Sequence, residues 1–97
     1  MTTETVGKVV IPTAVEERIA RTVKKRAADK FGGFTVYTAD GGWMDESGNV
    51  GEETVEVVEI AGADETFVQS TAAWVQEKSD ETAVMWSVSD ETVGFEG

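Results

Sequence analysis

The first apolar residues of the chain predict a strand followed by a helix. Val6–Ile11 is a β-branched run, which is typical of a strand, and the proline after it ends the run. From Ala14 to Lys30 apolar residues recur at every fourth position, which places them on one face of a helix: Val15, Ile19, Val23 and Ala27. We expect Thr13 and Glu16 to form a capping box at its start, and the next two glycines to end it.

The middle of the chain predicts a long β-hairpin. Phe34–Ala39 alternates in character and is rich in β-branched and aromatic residues, which indicates a strand. We expect a bulge or bend at Asp40–Gly42, after which the strand continues to Met44. A turn containing glycine and asparagine follows, and valines interleaved with glutamates over Val50–Ala61 predict the return strand.

A second helix and a last strand complete the chain. Asp64 is placed to cap this helix, and one helical face carries residues spaced by three and four positions: Phe67, Thr71, Trp74, Val75 and Lys78. Ala83–Val88 predicts a strand. We expect Ser89–Glu91 to bend the chain and Thr92–Phe95 to add a short terminal strand.

These elements follow the order β-α-β-β-α-β, which is the ferredoxin-like, or split βαβ, arrangement. We therefore predict an α+β fold formed by one domain over residues 1–97. Its antiparallel sheet should have the strand order 4-1-3-2, with two helices on one face. The residues expected to pack against the sheet are Val15, Ile19, Val23, Phe67 and Trp74.

Composition removes several kinds of chemistry. The 97 residues are enough for one domain, and they include no cysteine and no histidine. A disulfide framework, a thiolate nucleophile, a histidine base and a cysteine-based zinc site are therefore excluded. No apolar run approaches the ~18 residues of a membrane span, and Met1–Glu4 does not begin a signal peptide. We expect an intact, soluble, cytoplasmic protein without a membrane partner.

The chain is strongly acidic, with 19 acidic residues against 8 basic ones and a net charge of −11. Such a surface repels nucleic acids and anionic membranes, which argues against both as partners. The chain also has fifteen valines, twelve threonines and no leucine. This composition is typical of salt-accumulating archaea, so we expect an acidic, halophilic protein. The alternative interpretation is an acidic mimic of nucleic acid, such as a viral decoy.

Several residues of the central block resemble a known family. They are Phe31–Val36, Gly42–Trp43, Asp45 and Gly48, followed by a return strand in which Val and Glu alternate. Over residues 13–88 the chain resembles small proteins of archaea and their viruses, and it is similar to a bacterial domain family of unknown function. The resemblance implies the ferredoxin-like fold. It implies no activity and no functional residue.

The hairpin turn has part of a calcium-loop pattern. Asp45, Ser47, Asn49 and Glu56 fall at positions one, three, five and twelve of such a loop. Position six, which should be glycine, is Val50, and strands rather than helices flank the turn. We therefore interpret the segment as a solvated hairpin tip and expect neither a metal nor another cofactor.

The first helix concentrates the basic residues. Residues 14–30 contain six of the eight, which gives this segment a net charge of +3 and the remainder −14. Arg18, Arg21 and Lys25 lie opposite the apolar stripe. Three interpretations follow: a solvated helix face, a contact with an acidic partner such as a second copy, or a phosphate contact that the surrounding field opposes.

The strands predict an apolar patch on the sheet. In a two-layer fold one sheet face has no helices over it, and Val10, Tyr37, Val57 and Met85 could lie together there. The alternatives are scattered surface residues, a homodimer interface or a small-molecule pocket. The candidate interface comprises Tyr37, Val57, Met85, Trp86, Arg18, Arg21 and Lys25.

The sequence alone favours a non-catalytic interaction or ligand-binding domain, adapted to high salt and forming a homo-oligomer through its sheet face. We assign no catalytic, cofactor-binding or metal-binding residue. The alternative from another class is an enzyme that uses carboxylate chemistry, and such an enzyme would need a buried carboxylate in a concave pocket.

Overall fold

The structure, a computed structural model, describes residues 2–96 and contains six elements in the predicted order. They are β1 (Thr2–Pro12), α1 (Glu17–Phe31), β2 (Thr35–Met44), β3 (Val50–Ala61), α2 (Glu65–Lys78) and β4 (Trp86–Val93). The sheet order is β2-β3-β1-β4, and every neighbouring pair is antiparallel. This is the predicted 4-1-3-2 order, so the ferredoxin-like α+β fold is confirmed.

The strand register assigns each residue to one of the two sheet faces. Val9 lies between Val58 of β3 and Trp86 of β4, and this row belongs to the core. Because successive side chains of a strand point to opposite faces, the neighbouring pair Val10 and Val57 points away from the core. We call the face that carries this second pair the open face, since both helices pack on the other one.

One core lies between the helices and the sheet. Its members come from all layers and are mostly β-branched or small residues: Val9, Ile11, Val15, Ile19, Ala20, Val23, Ala27, Val58, Ile60, Ala63, Val68, Ala72 and Val75. The predicted stripe of α1 is therefore confirmed as its buried face. Since leucine is absent from the chain, the core is filled by short branched side chains, whose restricted rotamers suit close packing.

The buried face of α2 is shifted from the predicted one: Thr71 and Val75 are buried as predicted, but Phe67 and Trp74 are not. Its buried residues are Val68, Thr71, Ala72 and Val75. Phe67 and Trp74 stay half-buried at the margin of the core, where α1 provides their neighbours. The Phe67 ring meets Phe31 edge-on at 4.9 Å, and the Arg26 guanidinium lies 4.3 Å from the Trp74 ring centre. The small side chains face the sheet because α2 approaches β1 too closely for aromatic rings.

The helix ends agree with the sequence in two of three cases. Gly32 ends α1 with a positive φ of 86° and donates its N–H to Ala28. Asp64 caps α2, because its Oδ1 accepts the N–H of Phe67 at 2.9 Å. The capping box at Thr13 is wrong. The N–H and hydroxyl of Thr13 both donate to the carbonyl oxygen of Thr54, so this residue prolongs the contact between β1 and β3.

Two interruptions expected in the strands do not occur. Asp40, Gly41 and Gly42 pair in unbroken register with Thr54, Glu53 and Glu52, without a bulge. β4 begins at Trp86 rather than Ala83, and it runs through Ser89–Glu91 without a bend. The reason is that β1 begins at Thr2, so its first residues provide a partner for the whole length of β4.

The β2–β3 hairpin extends beyond the rest of the sheet. Pairing between β1 and β3 ends at Pro12 and Val55, whereas β2 and β3 remain paired as far as Met44 and Val50. We call residues 40–53 the hairpin arm. It contributes to the elongated shape of the molecule, whose extents are 49 × 24 × 23 Å. Within residues 2–96, no helix is both long and apolar enough to cross a membrane.

Candidate functional site

The open face is largely apolar over β2, β3 and the second half of β1, whereas the part where β1 pairs with β4 carries Glu4, Ser87, Ser89 and Glu91. The register places on it Val6, Val10, Pro12, Tyr37, Ala39, Trp43, Val55, Val57 and Met85. Tyr37, Trp43 and Met85 keep 41%, 51% and 67% of their surface exposed. No described element covers them, because α1 and α2 both lie on the opposite side of the sheet.

The centre of the open face is packed, although it lies outside the main core. Val6, Val55 and Val57 are at most 7% exposed, yet none belongs to the cluster between the helices and the sheet. These valines are short and sit on the two central strands, so the longer side chains around them shield them from water. The centre of the open face is therefore formed by buried valines, and the exposed side chains of Tyr37, Trp43 and Met85 surround it.

An ion pair lies near the middle of this surface, in addition to the carboxylates of Glu4, Glu53 and Glu91, which lie on the same face and have no ion-pair partner within residues 2–96. Lys8 and Glu59 are cross-strand partners, and their charged groups lie 3.6 Å apart with about a third of each side chain exposed. Opposite charges directly across an antiparallel pair stabilise the sheet modestly. The pair also leaves the middle of the open face without net charge, which lowers the cost of covering it.

A groove lies at the end of the open face, where β1 stops. It has a volume of about 490 Å³, and Val10 and Pro12 of β1 lie between its two walls. Trp43 and Glu53 of the hairpin arm form one wall together with Val55, and Ala83 and Met85 belong to the other. We call this the end groove.

The polar groups of the end groove are all uncharged or acidic. Glu53 and Glu81 are the charged residues that line it, and none of the described lining residues is basic. The indole of Trp43 lies over its cross-strand partner Gly51, where a β-carbon would come within 2.9 Å of three ring atoms. An aromatic wall beside two carboxylates is suited to a cationic group with an apolar stem.

The basic residues of α1 lie far from the open face and have partners of their own. Arg18 pairs with Glu16 at 2.7 Å, Arg21 with Glu17 at 3.1 Å, and Lys25 with Asp29 at 2.9 Å. All of these side chains are largely exposed on the outer side of the helix layer. The local acids therefore pair with three of the six basic residues, and the segment keeps its net charge of +3.

The remaining three basic residues of α1 also have partners, and one of these residues is Arg26, whose guanidinium lies over the Trp74 ring. Lys24 reaches across the layer to Glu56 of β3 at 2.6 Å, which fixes the helix against the sheet. Lys30 lies 5.3 Å from the ring centre of Phe67. The basic side chains of α1 therefore all have partners within the same chain, which favours a structural role for these charges over phosphate recognition.

The predicted interface residues thus separate into three places. Tyr37, Val57 and Met85 share the open face, as expected from strand alternation. Trp86 does not join them, because its side chain is half-buried on the helix-covered face and packs against the core. Arg18, Arg21 and Lys25 lie beyond the helix layer, so a single flat contact cannot include them together with the open face.

The acidic side chains of residues 2–96 are spread out or paired and are not gathered into a cluster. Thr71 is the only buried polar residue of residues 2–96, and no group of three acidic side chains there is arranged to hold a metal ion. Asp45 Oδ1 instead accepts the N–H groups of Ser47 and Asn49, both at 2.9 Å, and shapes the hairpin turn. Glu56 lies six residues along β3 from Val50, roughly 20 Å from the turn, and pairs there with Lys24. The calcium-loop spacing therefore does not bring Glu56 near Asp45.

Sequence reasoning missed the residues that form the end groove. Trp43 and Gly51 become partners only through the hairpin register, which depends on the length of the turn. Glu81 enters from the segment between α2 and β4, and no local pattern marks it. The one available signal was the Trp43 strand itself, whose alternation places the indole on the same face as Tyr37.

No protein-family model matches this chain, and no curated protein matches it significantly.

Proposed function

We propose that this chain is a non-catalytic interaction domain that forms a homodimer through its open face and is adapted to concentrated salt. The observation that carries this proposal is the continuous apolar surface of Val10, Tyr37, Val57 and Met85, over which no described element lies. A small domain with such a face is prone to aggregate unless another molecule covers it.

The size of the open face fits a dimer. With a strand spacing of about 4.8 Å and a rise of about 3.4 Å per residue, four strands and the 11 residues of β1 span roughly 19 by 37 Å. The product, roughly 700 Å², is the whole face, including the polar part where β1 pairs with β4, and a typical stable interface buries about 800 Å² on each partner. Two-fold pairing would cover both copies at once.

Electrostatics makes this association depend on salt. Each chain carries −11, so two copies repel at low ionic strength. In molar salt the screening length falls to about 3 Å, which removes most of that repulsion while apolar burial continues to favour contact. The neutral Lys8–Glu59 pair adds no repulsion at the centre of the face.

Light scattering in molar potassium chloride tests the proposal. We expect the wild type to have twice the mass of one 10.4 kDa chain at tens of micromolar. Met85→Glu and Tyr37→Glu should each reduce it to a single chain, because each places a charge in the apolar contact. The matched control Ala73→Glu adds the same charge at an exposed position of α2 and should leave the dimer intact.

A helix-side substitution separates this geometry from a contact through the basic helix. Lys25→Glu should leave the mass unchanged, since Lys25 pairs with Asp29 on the far side of the helix layer. A wild-type mass of one chain under these conditions would reject the proposed dimer. If Lys25→Glu lowers the mass and Met85→Glu does not, the dimer forms through α1 and not through the open face.

A further inference from the structure

The hairpin arm has an unpaired backbone edge. On one side, β3 residues Val50–Glu53 pair with β2. On the other side, β1 ends opposite Val55, and Thr13 donates its N–H to the carbonyl oxygen of Thr54. Beyond that point no strand within residues 2–96 pairs with β3. Main-chain N–H and C=O groups are left available along this edge, which is the arrangement that accepts an added strand.

The free edge borders a space one strand wide. β1 lies between β3 and β4, and Val10 donates its N–H to the carbonyl oxygen of Met85 at 2.9 Å. Where β1 stops, the arm and the segment around Met85 remain as the two walls of the end groove. Walls separated by two strand spacings, about 9 to 10 Å, leave room for one extended chain between them.

The charge of this site determines which chain can enter. Glu53 and Glu81 line the groove, and Glu52 lies on the same edge. These carboxylates repel an acidic strand and attract a basic one, which favours a basic segment over the acidic strands β2 and β3 of a second copy. A lysine or arginine placed there could lay its aliphatic stem on Trp43 and its charge near Glu53.

We propose that the end groove binds an extended, basic segment of a partner protein, which adds as a strand to the free edge of β3. Main-chain hydrogen bonds to the arm hold the segment, and its cationic side chains are recognised between Trp43 and Glu53. This inference rests on the proposed function in that both make the chain a binding domain. The end groove shares Val10 and Met85 with the proposed dimer surface but does not include Tyr37 or Val57.

A fluorescein-labelled hexapeptide of alternating lysine and valine is the probe. We expect its fluorescence anisotropy to rise on binding the wild type, and the same peptide with glutamate in place of lysine should not bind. Trp43→Ala and Glu53→Gln should each raise Kd by about tenfold or more. The control Glu77→Gln removes the same charge from the exposed side of α2 and should leave Kd within about twofold. Circular dichroism verifies that each variant is folded.

Backbone methylation distinguishes strand addition from simple attraction of a cation. A peptide methylated on alternate backbone nitrogens keeps its charge but loses its ladder hydrogen bonds, so one of its two methylation registers should fail to bind. Equal binding of both methylated registers and the parent would overturn the proposal, as would equal losses from Glu77→Gln and Glu53→Gln, or no binding at all. Tyr37→Glu should still bind the peptide, so a failure of dimerisation remains distinguishable from a failure of this site.

Discussion

Gly7 of β1 lies directly beneath Val68 of α2, so closely that a β-carbon on Gly7 would overlap Cγ2 of Val68. The same β-carbon would also come within 3.1 Å of the Ala63 side chain. Val68 and Ala63 are fully buried, so neither can turn away into solvent. This contact sets the distance between α2 and the sheet, and it explains why small residues occupy the inner face of the helix.

Replacing this glycine should therefore destabilise the protein. For Gly7→Ala we expect the free energy of unfolding in urea to fall by about 1–3 kcal/mol, the usual cost of forcing an added group into a packed core. Gly33→Ala is the matched control, because a β-carbon there meets nothing within 4 Å and should change stability little.

A double-mutant cycle tests whether Val68 is the cause. Val68→Ala alone should destabilise by leaving a cavity, but Gly7→Ala should cost less in that background because Cγ2 is gone. Additive effects of the two substitutions would show that the crowding lies elsewhere.

The two helices should differ in their dependence on the residue at the N-cap. Asp64→Ala should lower the free energy of unfolding by about 1 kcal/mol, since it removes an acceptor for the N–H of Phe67. Glu16 occupies the corresponding position of α1, where its side chain makes no capping hydrogen bond. Glu16→Ala removes only an exposed pair with Arg18, so its effect should be smaller. Equal losses, measured by urea unfolding, would contradict the assigned caps.

Gly51 should determine the position of the Trp43 indole. In Gly51→Ala the new β-carbon would lie 2.5 Å from Cζ2 of the ring, so the exposed indole must move. We expect stronger quenching of Trp43 fluorescence by acrylamide, measured in a variant in which the other two tryptophans are phenylalanine. Gly42→Ala is the control, because its nearest contact is an ordinary 3.4 Å and the quenching should stay as in the parent.

Added potassium chloride should stabilise the fold. With a net charge of −11, self-repulsion opposes the compact state, and salt screens it. We expect Tm, followed by circular dichroism at low protein concentration, to rise from low to molar salt. Replacing Glu46 and Glu52 of the hairpin arm by glutamine should reduce the rise, because fewer charges remain to be screened. A Tm that stays level or falls would count against salt adaptation.

Local patterns were sufficient to predict most of the fold. The four-residue spacing from Val15 to Ala27 predicted the buried face of α1, and strand alternation placed Tyr37 and Met85 on one sheet face. These features depend on residues close together in the chain, because a helix repeats every 3.6 residues and a strand every two. The sequence by itself also determined the charge, and with it the expected response to salt.

Contacts between distant segments decided the remainder. Thr13 fits a capping box, but the carbonyl of Thr54 captures it, and Ser89–Glu91 remains extended because Thr5 and its neighbours pair with it. Trp86 was expected at an interface, yet pairing with Val9 places it in the core layer. Only the tertiary structure brings Trp43, Pro12 and Met85 around one groove, because their proximity follows from where β1 ends between two longer neighbours. Such proximity is a property of sheet register, which no short stretch of sequence contains.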